Sequence, residues 1–124
     1  MEDANETLAA FGRRIGLKDF SLTRAGCAQL RFESGMMLSF EAMQDVLLIS
    51  TQTQSDDPFS AAEWLLREIN LFTHKQAVFV GLGSDDCIIL AMRITLSKLT
   101  VTSIDSAVTL LLALSRRAIG DRRA

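Results

Sequence analysis

The stretch CAQLRFESGMMLSFEAMQDVLLIST, residues 27–51, contains three strand-like segments separated by two short polar interruptions. In the first segment Leu30 and Phe32 alternate with polar residues, the pattern of a strand with one buried face. The segments are separated by Ser34-Gly35 and Gln44-Asp45. Turns this short join antiparallel neighbours, so the stretch predicts a three-stranded meander. Such a meander can form the floor of an active site or a platform for another protein.

A helix is predicted before the meander. Ala4, Leu8, Phe11 and Ile15 recur at spacings of four, three and four residues, which places them on one helical face. Gly16 suits the end of this helix, because glycine adopts the left-handed conformation that often follows a last helical turn.

A second helix is predicted over residues 59–72. Asp57 is a good N-cap, and Pro58 suits the first helical position because its missing N–H is not needed there. Apolar residues cover more than one stripe of this helix: Ala61, Ala62, Trp64, Leu65, Leu66, Ile69 and Phe72. One core contact would leave part of this surface bare, so we expect a second surface to cover it; a helix sandwiched in a thick core is the alternative.

The rest of the chain predicts a hairpin and a last helix. Residues 76–83 and 87–96 form two strand-like segments, and the second is apolar on both faces, as in a central strand. Residues 103–119 predict the helix, and a frayed basic tail is expected from about 118 to 124. The prediction is a single α+β domain, residues 1–124, with helices packed on a twisted antiparallel sheet in the order α-β-β-β-α-β-β-α.

Composition and charge exclude some functions. A net charge of -2 and a pI near 5.3 argue against a dedicated nucleic-acid binder. No apolar run approaches the ~20 residues of a membrane span. Met1 is followed by Glu2 and Asp3, unlike the start of a signal peptide, so a cytoplasmic protein with free thiols is expected.

No residue pattern marks an active site. The single histidine, His74, follows the second helix without marked partners, and Asp56-Asp57 and Asp85-Asp86 suit a helix cap and a hairpin turn. Cys27 and Cys87 lie in apolar strand-like runs, without metal-ligand spacing. We therefore expect a protein that is not an enzyme, with no catalytic residue, no metal and no cofactor.

The segment LAAFGRRIGLKDFSLTRAGCAQLRFESGMMLSFE, residues 8–41, resembles the start of class I type III secretion chaperones, the Tir chaperone (CesT) family. Their pattern is a short helix, a Gly-Leu or Gly-Ile pair, a polar link and then strands. The resemblance extends in element order over nearly the whole chain, although the basic C-terminus is not a family feature. It implies a small cytosolic dimer, a homodimer or a heterodimer with a second chaperone. Such a dimer binds an N-terminal region of a secreted effector or other secreted component and holds it extended.

The resemblance also implies two sets of site residues. The dimer interface would use the second helix and the hairpin: Trp64, Leu65, Glu68, Val78, Phe79 and Val80. The partner-binding grooves would be lined or backed by Phe11, Ile15, Leu30, Phe32, Met37 and Leu38. Some of these residues must belong to the core, since alternation alone does not assign each set to a face of the sheet.

Two other classes of protein remain open at this point. A roadblock-like or profilin-like scaffold also combines a small sheet with flanking helices, and it would bind folded partners. A small α+β ligand-binding protein would hold a small molecule in an apolar pocket. A chaperone is expected to form a dimer and to protect a long partner segment from protease, whereas a scaffold needs a folded partner and a ligand-binding protein holds its small molecule as a monomer or a dimer.

Overall fold

The described part of the chain folds into three α-helices and one five-stranded sheet. The computed structural model describes residues 2–71 and 78–120. The helices are α1 (Glu2–Arg14), α2 (Pro58–Leu71) and α3 (Val101–Ile119). The strands are β1 (Cys27–Arg31), β2 (Met37–Ala42), β3 (Val46–Gln54), β4 (Phe79–Leu82) and β5 (Cys87–Thr95). The predicted α+β fold class and element order are confirmed.

All neighbouring strands are antiparallel, in the order β1-β2-β3-β5-β4. The chain leaves β3 through α2 and returns at β4, so β5 inserts between β3 and the edge strand β4. The sequence prediction that β5 is a central strand is confirmed. The two open edges of the sheet are β1 and β4, at opposite ends of the molecule.

The three helices and one face of the sheet share a single apolar core. Buried residues from each layer include Leu8 of α1, Leu65 of α2, Leu111 of α3 and Ile49 of β3. Helix α3 packs along β3 and β5 at the centre, α1 packs against α3, and α2 packs against α3 and β4. The core therefore runs under all three helices, and α1 and α2 lie at different ends of it.

Local sequence signals set the helix ends. Asp57 Oδ1 accepts a hydrogen bond from the Ser60 N–H at 3.2 Å, so the predicted N-cap of α2 is confirmed. Thr100 and Ser103 form a reciprocal capping box at the start of α3. After α1, Gly16 has φ +89°, the left-handed conformation that the sequence predicts there.

The link after α1 is held against the helix. The Leu22 N–H donates to Asn5 Oδ1 at 2.8 Å, and the Phe20 ring packs edge-on against Phe40 with centroids 5.5 Å apart. Phe20 also crosses closely over Gly12: a Cβ on that glycine would lie 2.6 Å from the Phe20 Cβ. The glycine thus lets the link approach the helix, which fixes α1 and the segment after it as one wall of the fold.

Several sequence predictions concern the ends and the thiols. Of the predicted tail, residues 118 and 119 belong to α3 and Ala118 is buried, whereas residues 121–124 lie outside the described part of the chain. His74 also lies outside it. Cys27 and Cys87 are both free. They lie at opposite ends of the sheet, since Cys27 pairs with Glu41 and Cys87 with Gln54.

Candidate partner-binding surfaces

A groove opens between α1, the β1–β2 hairpin and α3. Its first compartment has a volume of about 460 Å³. Five of the six residues predicted to line or back a partner groove meet there: Phe11, Ile15, Leu30, Phe32 and Leu38. Val108 and Leu112 of α3 form the opposite wall. Residues that are far apart in sequence therefore converge on one concave apolar surface.

The lining residues differ in depth. Phe11 and Leu38 are fully buried and belong to the core beneath the groove. Leu30 and Phe32 are half-buried on the wall, and Ile15, 45% exposed, lies on the rim. Burying the apolar surface of such rim and wall residues stabilises a complex by about 25 cal/mol per Å² before the costs of association are counted. The groove thus offers apolar contact area above a rigid floor.

A second compartment continues the groove past Phe32 and Leu112, which line both compartments. It has a volume of about 390 Å³ and lies between the β1–β2 turn, β3 and the end of α3. Its wall includes Ser34, Thr53, Gln54 and Arg116. The two compartments together form one extended depression, apolar at one end and more polar at the other.

The edge strand β1 borders the groove and has unused backbone groups. The Phe32 N–H donates to the Met36 carbonyl, and the Ala42 N–H donates to the Gly26 carbonyl. Alternation along an antiparallel ladder then directs the backbone of Ala28 and Leu30 toward β2. The N–H and C=O groups of Gln29 and Arg31 point away from β2, where another strand can pair with them.

Met37, the sixth residue predicted for the groove, lies elsewhere. It alternates with buried Leu38 and Phe40 along β2, so its side chain is on the other face of the sheet. It pairs with Arg31 and Gln52 there and lines neither compartment. The structure gives Met37 no place in the groove, because a step of one residue along a strand changes the face.

A second apolar surface lies at the other end of the molecule, and we call it the α2–β4 surface. It comprises Phe59 and Leu66 of α2, 74% and 49% exposed, with Leu82 of β4, which is 46% exposed and lies on the helix-covered face of the sheet. Phe59 and Leu66 are seven residues apart, which places them on the same side of the helix. Large apolar side chains this exposed, on a helix and on an edge strand, are typical of a surface that a protein partner covers.

The residues predicted for a dimer interface are not those of this surface. The Arg117 guanidinium lies 5.2 Å from the Trp64 ring and 3.1 Å from Glu68, so both side chains are engaged with α3. Leu65 and Val78 are buried within the single chain, and Val80 is half-buried against the core. Phe79 is 46% exposed but lies on the opposite face of β4, where the Arg93 guanidinium is 4.9 Å from its ring centroid.

Phe59 and Leu82 were not predicted for such a surface, and Leu66 was predicted only as part of the broad apolar surface of the second helix. The seven-residue spacing of Phe59 and Leu66 in the sequence does predict that the two side chains share a helical face. The contact of Arg117 with Trp64 was not readable, because the two residues are far apart in sequence and belong to different helices.

Within residues 4–69 and 78–120, no three His, Cys, Asp or Glu side chains come together as a metal site would require. None of the helices in the same part of the chain is both long and apolar enough to span a bilayer.

Comparisons with known proteins identify a family from the sequence and a shared fold from the structure. Residues 6–118 match the Tir chaperone protein (CesT) family. No curated protein is significantly similar in sequence. Several solved structures share the fold.

A chain of the ExsC–ExsE complex has TM-score 0.73 and 22% sequence identity, and the match covers 90% of this chain and 87% of that chain. The Yersinia pestis type III secretion chaperone SycH, solved with a stable fragment of YscM2, has TM-score 0.71 and 18% identity, covering 88% and 93%. The HopA1–SchA chaperone–effector complex matches with TM-score 0.70 and 15% identity, covering 92% and 91%. At these identities the structures establish a shared fold.

Proposed function

The chain belongs to the Tir chaperone protein (CesT) family, and on that premise we propose that it is a non-catalytic type III secretion chaperone. Its client is the N-terminal region of a secreted effector or of another secreted component. The chaperone keeps this segment extended, soluble and competent for export, and acts in the cytoplasm. Proteins described as such chaperones, or solved with an effector or another partner, have the same fold.

The observation that carries the proposal is the groove beside an open strand edge. An extended segment can place apolar side chains against Leu30, Phe32 and Ile15 while its backbone pairs with β1. Backbone pairing adds affinity without demanding a particular sequence, and the compartments select the side chains that face them. A groove of this kind suits an unfolded segment better than the surface of a folded protein.

The α2–β4 surface is proposed as the contact between two copies of the chain. In a two-fold dimer each copy contributes the same patch, so the exposed apolar residues of both copies are covered by the one contact. Stable interfaces of this type bury on the order of 1,600 Å² in total. Leu66 and Phe59 lie away from the groove, on α2 rather than on α1, β1 or β2, so dimerisation leaves both grooves open to clients.

The direct test is light scattering after size exclusion, for the chain alone and co-expressed with N-terminal fragments of secreted proteins from the same locus. We expect a dimer of about 27 kDa, twice the 13.7 kDa of one chain, that carries a client fragment. Limited proteolysis of the complex should leave a long client segment intact. The segment should become sensitive again when Ile15 in the groove is replaced by Asp.

The other classes of protein give different results in the same experiment. A scaffold would retain folded partners and leave extended fragments unprotected. A small-ligand protein would carry no fragment and would show a bound molecule in native mass spectrometry. Either result, from a well-folded chain, would contradict the chaperone proposal.

A further inference from the structure

The second compartment of the groove has a different chemistry from the first. Its polar wall includes Ser34, Thr53 and Arg116, each of which has a side-chain hydrogen-bond donor. Gln54 also lines it, but the Gln54 side-chain amide donates to the Asp85 carbonyl at 3.5 Å. None of the residues lining it is an aspartate or a glutamate. The first compartment, by contrast, has Asp105 as well as Arg31 on its wall. The second compartment thus has positive character without an acidic residue of its own.

Arg116 is the charged group of this compartment. It is exposed near the end of α3, and its guanidinium forms no ion pair with any side chain of residues 4–69 or 78–120. Its neighbour Arg117 is engaged on the other side of the helix with Glu68 and Trp64. The charge of Arg116 therefore remains available to a group that enters the groove, where planar guanidinium pairs well with carboxylate.

The Thr53 hydroxyl independently indicates that the second compartment receives a hydrogen-bond acceptor. Only 9% of this residue is exposed, and its buried hydroxyl has no hydrogen-bond partner among the described residues. Two residues earlier on β3, Thr51 meets the Ser115 hydroxyl at 2.9 Å, so the same strand does satisfy its other buried threonine. A buried hydroxyl without a partner is uncommon in native proteins. Because the hydroxyl itself is buried, it can donate to an acceptor in the compartment only after rotation about the Thr53 Cα–Cβ bond.

We propose that the second compartment recognises the carboxylate of an aspartate or glutamate side chain in the client. This inference rests on the proposed function. Because Phe32 and Leu112 separate the two compartments, the acidic residue lies on the same extended segment as the apolar residue that fills the first compartment. A polar compartment at one end and an apolar one at the other fix the direction of the client and exclude segments that place a basic residue opposite Arg116.

The experiment begins with a displayed library of random twelve-residue peptides, selected on the wild-type chain. We expect the selected peptides to share an apolar residue and, at a fixed spacing, an aspartate or glutamate. One selected sequence is then synthesised with an amidated C-terminus in three forms, with Glu, Gln or Lys at the acidic position. Titration should show the Glu form binding about tenfold more tightly than the Gln form, and the Lys form binding most weakly.

Variants of the chain assign the effect to the compartment. Arg116→Glu should reverse the order of the Glu and Lys peptides, whereas Arg24→Glu, an exposed charge reversal outside both compartments, should keep it. Thr53→Val replaces the unpartnered hydroxyl with a methyl group of similar size. It should weaken the Glu peptide more than the Gln peptide while leaving the melting temperature unchanged or raised.

The outcomes separate this inference from the proposed function. Selection of apolar peptides without acidic enrichment, or an unchanged peptide order in Arg116→Glu, overturns the carboxylate compartment and leaves the chaperone proposal standing. A Gln peptide with a free C-terminus that binds as tightly as the Glu form would assign the compartment to a terminal carboxylate and overturn the side-chain version. A folded wild-type chain that selects no peptide contradicts both proposals.

Discussion

The groove and the α2–β4 surface both expose apolar side chains, but they differ in shape and in backbone. The groove is concave, with half-buried Leu30 and Phe32 over a rigid floor, and it borders unpaired backbone groups of β1. The α2–β4 surface also reaches an open edge, at β4, but its most exposed side chains, Phe59 and Leu66, point outward from α2, whose backbone is already hydrogen-bonded. A concave surface at an open edge suits an extended chain, and an outward helical surface suits a folded copy. The shape, more than the apolar character, distinguishes the two partners.

The largest expected effect comes from Leu66→Asp. This substitution places two charges in the proposed symmetric contact, one from each copy, and should raise the dissociation constant of the dimer at least about 100-fold. Analytical ultracentrifugation over a concentration series measures that change. Met43→Asp is the matched control, because Met43 is 50% exposed and Leu66 is 49% exposed, and Met43 belongs to neither surface. A dimer that is equally stable in both variants would remove α2 from the interface.

Ile15→Asp tests the groove. It places a charge on the rim of the first compartment and should weaken binding of a client fragment about 30-fold while the dimer remains intact. Fluorescence anisotropy with a labelled fragment gives the affinity, and light scattering gives the oligomeric state. Met43→Asp again serves as the control for an added surface charge. If Ile15→Asp dissociates the dimer and leaves the affinity unchanged, the roles assigned to the two surfaces are wrong.

Gly12→Ala should affect the wall of the groove through α1. The added methyl would lie 2.6 Å from the Phe20 Cβ, so the link must move or the helix must shift. We expect a loss of about 1.5 kcal/mol in the free energy of unfolding, together with weaker client binding and an unchanged dimer. Urea denaturation measures the stability. Gly81→Ala is a useful comparison because its Cβ would meet no atom within 4 Å, and a larger loss there would contradict the packing argument.

The smallest change in the free energy of unfolding is expected from the buried hydrogen bond of Thr51 with Ser115, which lies between the two surfaces. Ser115→Ala leaves the Thr51 hydroxyl without its partner and should cost about 1 kcal/mol in the free energy of unfolding. The double variant Thr51→Val, Ser115→Ala should recover much of that loss, because both polar groups are then gone. Client affinity and dimerisation should not change in either variant. A change in either would mean that β3 and α3 couple the two surfaces.

The sequence predicted the elements better than it predicted their faces. Alternation and turn residues located all five strands, and the two-sided apolar pattern identified β5 as central. The same alternation could not decide that Leu38 faces the core and Met37 faces away, since a strand pattern is symmetric until its neighbours are known. Long-range contacts were equally hidden: nothing local to Trp64 indicates that Arg117 covers it.

The groove itself illustrates the same limit. Five of its residues could be named from the sequence, because a resemblance to a known family indicated which elements form it. Its second compartment could not be named, since Thr53, Arg116 and the β1–β2 turn come together only through the packing of α3 on β3. Whether a polar side chain finds a partner, as Thr51 does and Thr53 does not, depends on distances that no local pattern records.

Hydrogen–deuterium exchange of the dimer, with and without a bound client fragment, tests the central claim most directly. The outward-facing amides of Gln29 and Arg31 on β1 should become protected when the client pairs with that edge, and α2 should exchange as before. Protection confined to α2 and β4, with β1 unchanged, would contradict the assignment of the client to the groove.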